Sequence, residues 1–136
     1  MQLNPYLLFN GDCEAAFKFY EQCLGAKIGD IHTFKNSPMA DKMPAEWRDK
    51  VMHASLKLGN QLLLGSDPPP EQYQKPQGFS VCLSANNPAD AERMFHALAE
   101  NGTVQMPFQK TFWSAGFGML VDRFGIPWMV NCEEAA

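Results

Sequence analysis

The chain carries one pattern twice, and that repetition restricts its fold more than any other feature. Residues 6–9 form a short apolar run. A polar stretch follows, and then Cys13, Ala16, Phe17, Tyr20, Cys23 and Leu24 recur at helical spacing before Gly25. Residues 79–83 form a second apolar run, followed by Asn86-Asn-Pro, a stripe of Ala91, Met94, Phe95 and Leu98, and Gly102. Each copy reads strand, polar turn, amphipathic helix, glycine stop, further strands. Few residues are identical between the copies; what repeats is the arrangement. It predicts an α+β fold of two tandem βαβββ modules that form cupped mixed sheets, and a cupped sheet gives a ligand a hollow. The whole chain, 1–136, is read as one domain. Its modules are 1–67 and 77–136, joined by a proline-rich linker over 68–76.

Local signals fill in the modules. Asp12 and Asn87 stand where N-caps belong, and Pro88 occupies a first turn, where a missing amide costs little. Gly25 and Gly102 are the expected helix stops. Residues 27–34 suggest a strand, and 35–50 a loop with a short helix. Residues 51–58 alternate: Met52, Ala54, Leu56 and Leu58 share one face, and Val51, His53, Ser55 and Lys57 the other. Gly59-Asn60 turns the chain back into 61–65. Strands are expected over 103–112, 116–121 and 126–131, with a turn at 122–125 whose Asp122-Arg123 sets geometry.

Composition removes several function classes. With 46% hydrophobic and 12% aromatic residues the chain has material for a packed core. Its net charge is −4 without any basic run, so no nucleic-acid partner is expected. No apolar stretch reaches the roughly 20 residues of a membrane span, so no membrane partner is expected. The N-terminal residues lack the charged and apolar regions of a signal peptide, and a cytoplasmic protein is expected. Cys13, Cys23, Cys82 and Cys132 show no CxxC spacing and read as buried thiols.

Motifs of known chemistry are sparse. The one GxG, Gly116-Phe-Gly118, lies in a strand with no helix after it and makes a poor phosphate cradle. A metal site would have to draw on His32, His53 and His96, whose separations along the chain are wide; His96 lies off the apolar stripe of its helix. His53 is either a general base looking into the hollow or a hydrogen-bonded strand histidine. Phe112, Trp113, Met119, Trp128 and Met129 offer surface to a flat ligand or serve as core.

Residues 5–20, Met52-His-Ala-Ser-Leu56, Gly65-Ser-Asp67, 104–109, Thr111-Phe-Trp113 and 117–131 together resemble the PhnB-like branch of the glyoxalase/bleomycin-resistance/dihydroxybiphenyl-dioxygenase proteins, also called vicinal oxygen chelate proteins. The resemblance implies the paired βαβββ fold and a homodimer. It carries the metal slots of relatives such as glyoxalase I to Pro5, the neighbourhood of Leu63, Ser80 and Met129. These are poor ligands for a hard or borderline cation, so no metal and no other cofactor is expected. The branch carries a demethylubiquinone methyltransferase label. No glycine-rich loop for S-adenosylmethionine is found, so that activity is not expected.

The function expected is small-molecule binding, with a lyase- or isomerase-type enzyme using His53 as general base as the alternative. Strand alternation is read as pointing Leu7 and Phe9, Ser80 and Cys82, and Met129 and Asn131 into the hollow with His53, and Trp113 near its rim. Such a lining suits a small, partly aromatic molecule.

Overall fold

The computed structural model describes residues 1–133 and shows the tandem βαβββ arrangement. The chain divides into two compact units, Met1–Gln74 and Lys75–Ala136. The first holds β1 (Tyr6–Leu8), α1 (Cys13–Leu24), β2 (Lys27–Thr33), β3 (Val51–Leu58) and β4 (Gln61–Ser66). The second holds β5 (Val81–Ala85), α2 (Pro88–Ala99), β6 (Thr103–Gln109), β7 (Ser114–Val121) and β8 (Pro127–Glu133). The sheet orders match: β1-β4-β3-β2 and β5-β8-β7-β6. In each, the first strand lies parallel to the last and the other pairs are antiparallel.

Packing holds each helix on its sheet. The α1 stripe buries Cys13, Ala16, Phe17, Tyr20 and Cys23, and the α2 stripe buries Ala91, Phe95 and Leu98. Each fully buried large side chain contributes about 1.5–3 kcal/mol, against about 1 kcal/mol for a typical cap. The helices also sit close to the strands. A Cβ on Gly65 would lie 2.9 Å from the Phe17 ring, and one on Gly118 would lie 2.6 Å from the Phe95 ring. A Cβ on Gly116 would collide with Phe108. The GxG of β7 is therefore a seat for phenylalanine rings.

The helix ends hold two surprises. Asn87 caps α2 as read, accepting from the amides of Ala89 (2.8 Å) and Asp90 (3.3 Å). Asp12 makes no side-chain cap bond. The acceptor for the first amide of α1 is instead Asp67, at the end of β4. Its Oδ1 accepts from Gly11 (2.9 Å) and Cys13 (3.0 Å), and its Oδ2 accepts from Val51 at 3.0 Å. At the other end, Gly25 takes the left-handed conformation as read, with φ 67°. After α2, Asn101 takes it (φ 60°), not Gly102. Gly102 is needed for a different reason: a Cβ there would strike the Val121 carbonyl.

Elsewhere the sequence reading needs smaller corrections. Residues 34–47 contain three separate 3₁₀ turns and no α-helix. β5 starts two residues past Phe79, which is left 49% exposed. β6 ends at Gln109, because the Thr111 hydroxyl accepts from the amides of Trp113 and Ser114 and turns the chain. The 122–125 turn is as read: Asp122 Oδ1 accepts from Phe124 (2.8 Å) and Ile126 (3.0 Å), and Oδ2 accepts from the Trp128 indole at 2.9 Å.

Burial pushes the Asp67 carboxyl above the usual carboxylate range, against the pull of its three amides and of Lys50. Removing it strands three amides, so Asp67→Ala is expected to lower stability by about 2–4 kcal/mol, read from urea unfolding. The direction of the shift fixes the pH dependence. With the folded-state pKa above the unfolded one, the stability Asp67 supplies is fullest below the unfolded value and declines as pH rises through the folded one. The loss caused by Asp67→Ala should shrink as pH goes from about 4 to about 7; a loss that grows over that range would contradict the assignment.

Candidate functional site

On each sheet the α-helix covers one face, and the candidate residues lie on the other. In β3, Ala54 and Leu56 are buried toward α1, which leaves His53 and Ser55 on the opposite face, as the alternation predicts. His53 is half-buried, and its Nδ1 lies 3.1 Å from the Tyr6 hydroxyl of β1. Their rings are tilted against one another with centroids 5.7 Å apart. On the other side, His32 of β2 is the direct cross-strand partner of His53. Three neighbouring polar groups, Tyr6, His53 and His32, are thus brought together by β1, β3 and β2.

Leu7 and Phe9 do not join them. Both are 1% exposed and lie under α1; Phe9 meets Phe17 edge-on at 6.1 Å and Tyr20 at 6.5 Å. The period of two was right, but its phase was not. Core demand for the larger apolar pair sends Leu7 and Phe9 to the helix, and Tyr6 and Leu8 take the open face with exposures of 45% and 40%. Sequence reasoning missed Tyr6 and the pairing of His32 with His53. The buried stripe of α1, which needs large partners, was the available signal for the first; nothing in the sequence reveals cross-strand register.

In the second unit Cys82, Met129 and Asn131 fall on one face. Trp128, Val130 and Cys132 of β8 are buried toward α2, so Met129 and Asn131 face the other way. Cys82 stands opposite Met129, and Phe117 opposite Asn131. Trp113 packs edge-on to Phe117 at 5.5 Å and to Phe112 at 4.7 Å, and it is 51% exposed. Asn131 Oδ1 is buried and lacks a hydrogen-bond partner. A cavity of about 580 Å³ opens here, lined by Phe79, Ser80, Gln105, Val121, Pro127 and Met129 among others. Ser80 and Met129 line it directly; Cys82, Trp113 and Asn131 are not among its lining residues. Cys82 is exposed, unlike the other three thiols, because it shares the open face. Trp128 is core, as one of the two readings had it.

Burial, then Asp67, then Glu14 push the Cys13 thiol far above its ordinary range, so it is inert as a nucleophile. Among the described residues, no three His, Cys, Asp or Glu side chains converge into a metal-holding group. The slots carried over from metal-using relatives fit a divalent cation poorly. Pro5 has no side-chain donor, and Leu63 is buried on the α1 side, where Phe17 and Tyr20 pack. Ser80 and Met129 supply only a hydroxyl and a thioether.

Comparison with known proteins agrees with this architecture. The chain matches the family described as the Glyoxalase/Bleomycin resistance protein/Dioxygenase superfamily over residues 2–130. It is 34% identical to Protein YjdN of Escherichia coli (strain K12) over 139 residues, covering 96% of this chain and 95% of that protein. The crystal structure of protein PA1353 from Pseudomonas aeruginosa superposes with a TM-score of 0.90 at 48% identity, covering 99% of each chain. A putative 3-demethylubiquinone-9 3-methyltransferase, PhnB protein, from Bacillus cereus shares the fold, with a TM-score of 0.81 at 22% identity over 97% of this chain and 99% of that one. With two βαβββ units and a family match over nearly its whole length, the chain belongs to the glyoxalase/bleomycin resistance protein/dioxygenase superfamily.

Proposed function

We propose that the chain is a small-molecule binding protein of the PhnB-like branch of this superfamily, working without a divalent metal at the superfamily's usual slots. The cavity of about 580 Å³ in the second unit carries the reading. Phe79, Val121, Pro127 and Met129 give it apolar walls, while Gln77, Ser80 and Gln105 add hydrogen-bonding groups and Lys75 a cation. That mixture suits a small, partly aromatic molecule, whose ring gains from thioether and aromatic contacts. A free phosphate or sugar would leave the apolar walls unused. The branch assignment rests on the quoted residue runs and on the fold shared with the Bacillus cereus PhnB protein. That protein's methyltransferase description stays with it, since a likeness at 22% identity concerns fold alone.

The protein is further proposed to be a cytoplasmic homodimer. None of its four cysteines forms a disulfide among the described residues, and no helix among them is long and apolar enough to cross a membrane. β6 is an exposed edge strand carrying Val104 and Met106, the kind of edge a partner covers.

One observation favours a second reading, an enzyme of lyase or isomerase type. The Tyr6 hydroxyl fixes one nitrogen of His53 at 3.1 Å and leaves the other ring nitrogen available for proton transfer.

Native mass spectrometry of gently purified protein is expected to show a dimer that carries an organic molecule. Met129→Asp should release that molecule while the circular dichroism spectrum stays unchanged, since Met129 is outside the core. Retention of the molecule in Met129→Asp would move the site elsewhere. His53→Ala divides the two readings: a binder loses at most the ~1 kcal/mol of one hydrogen bond, whereas an enzyme loses its turnover.

A further inference from the structure

His32 and His53 come together only through folding. β2 and β3 run antiparallel, and the ladder sets the two residues as direct cross-strand partners. Residues so placed point to the same side of the sheet, with Cβ atoms about 4.5–5.5 Å apart. For this pair it is the side away from α1, where His32 is exposed and His53 half-buried. The ladder shifts register just after the pair, between His32 and Thr33, and two imidazoles at that separation can both turn a ring nitrogen toward one ion.

Tyr6 decides which nitrogen of His53 is on offer. Its hydroxyl lies 3.1 Å from Nδ1. When Nδ1–H donates to the phenolic oxygen, Nε2 carries the lone pair and is free to ligate. This is the usual arrangement around a metal-bound histidine, whose second nitrogen donates to an outer partner that fixes tautomer and ring orientation.

The geometry points to a two-histidine site for a borderline divalent transition-metal ion, Zn²⁺, Ni²⁺ or Cu²⁺, formed by His32 and His53 and oriented by Tyr6. Imidazole nitrogen suits these ions, whereas Mg²⁺ and Ca²⁺ require oxygen ligands. With two protein ligands the remaining coordination positions fall to water or to an oxygen or nitrogen donor of a bound molecule, so the site is open. It shares no residue with the slots at Pro5, 63, Ser80 and Met129, and it does not depend on the cavity of the second unit.

The test is calorimetric titration of the full-length chain with Zn²⁺ alone, repeated with Ni²⁺. One ion per chain is expected. His32→Ala and His53→Ala should each weaken binding by about tenfold or more, and Tyr6→Phe, which keeps both imidazoles but loses the phenolic oxygen, by about tenfold or somewhat less. His96→Ala is the control. That histidine lies on α2 beside Glu92 with a side-chain exposure of 66%, and its removal should change nothing. Circular dichroism confirms that the variants fold. The electron paramagnetic resonance spectrum of the Cu²⁺ form should show coupling to two imidazole nitrogens, reduced to one in either single variant. Absence of binding by the native chain, or full affinity in His32→Ala or His53→Ala, overturns the proposal. So does a loss in His96→Ala equal to that in the pair.

Discussion

The first unit is organised around one carboxylate. Asp67, at the end of β4, accepts from amides that belong to the turn before α1, to the first residue of α1 and to the start of β3. It thereby fixes where the helix begins and how two strands end relative to it. Its backbone joins in: the Asp67 amide donates to the Val51 carbonyl at 2.8 Å, and the Trp47 indole reaches the Asp67 carbonyl at 3.4 Å. Lys50, whose ammonium bonds the Gly11 carbonyl at 3.1 Å, brings a compensating charge to the same place. The second unit solves a smaller problem locally. Asp122 spans its own turn and holds the Trp128 indole six residues on.

This difference explains what could be read from the sequence. Period and turn chemistry act over a few residues, so the helices, the hairpin strands, the Asn87 cap and the Asp122 turn were all legible. Asp67 was not. It stands beside three prolines and read as the edge of a linker, while its partners lie 56, 54 and 16 positions away. Asp12 had the right residue type and position for a cap, but tertiary structure had supplied another acceptor. The face of β1 was misread for a related reason. Alternation tells which residues go together, and only packing tells which set meets the helix. Cross-strand partners are harder still, because β2 carries register shifts between Ile28 and Ile31 and between His32 and Thr33 that no residue pattern announces.

The two faces of each sheet are under different physical demands. Toward the helix, glycine and phenylalanine are fitted to each other, as with Gly65 under Phe17 and Gly118 under Phe95, and a single added methyl would be felt. On the opposite face, side chains keep part of their surface open: Tyr6, His32, His53, Cys82, Met129 and Trp113. Residues there are free to differ without cost to the core, so one scaffold can carry unrelated chemistries. In this chain positions 5, 63, 80 and 129 hold proline, leucine, serine and methionine, and the pairing of β2 with β3 makes His32 and His53 cross-strand partners.

The parallel pairing of β1 with β4 also shapes how the protein is born. Tyr6 finds its strand partner in Leu64, so β1 has no strand neighbour in its sheet until nearly the whole module has been made. Until then β1 keeps an unpaired backbone edge in the nascent chain, and unpaired strands invite chaperones or misassembly. Translation therefore yields folded material in module-sized instalments, and a pause within the first module would be more hazardous than one in the proline-rich stretch that follows it.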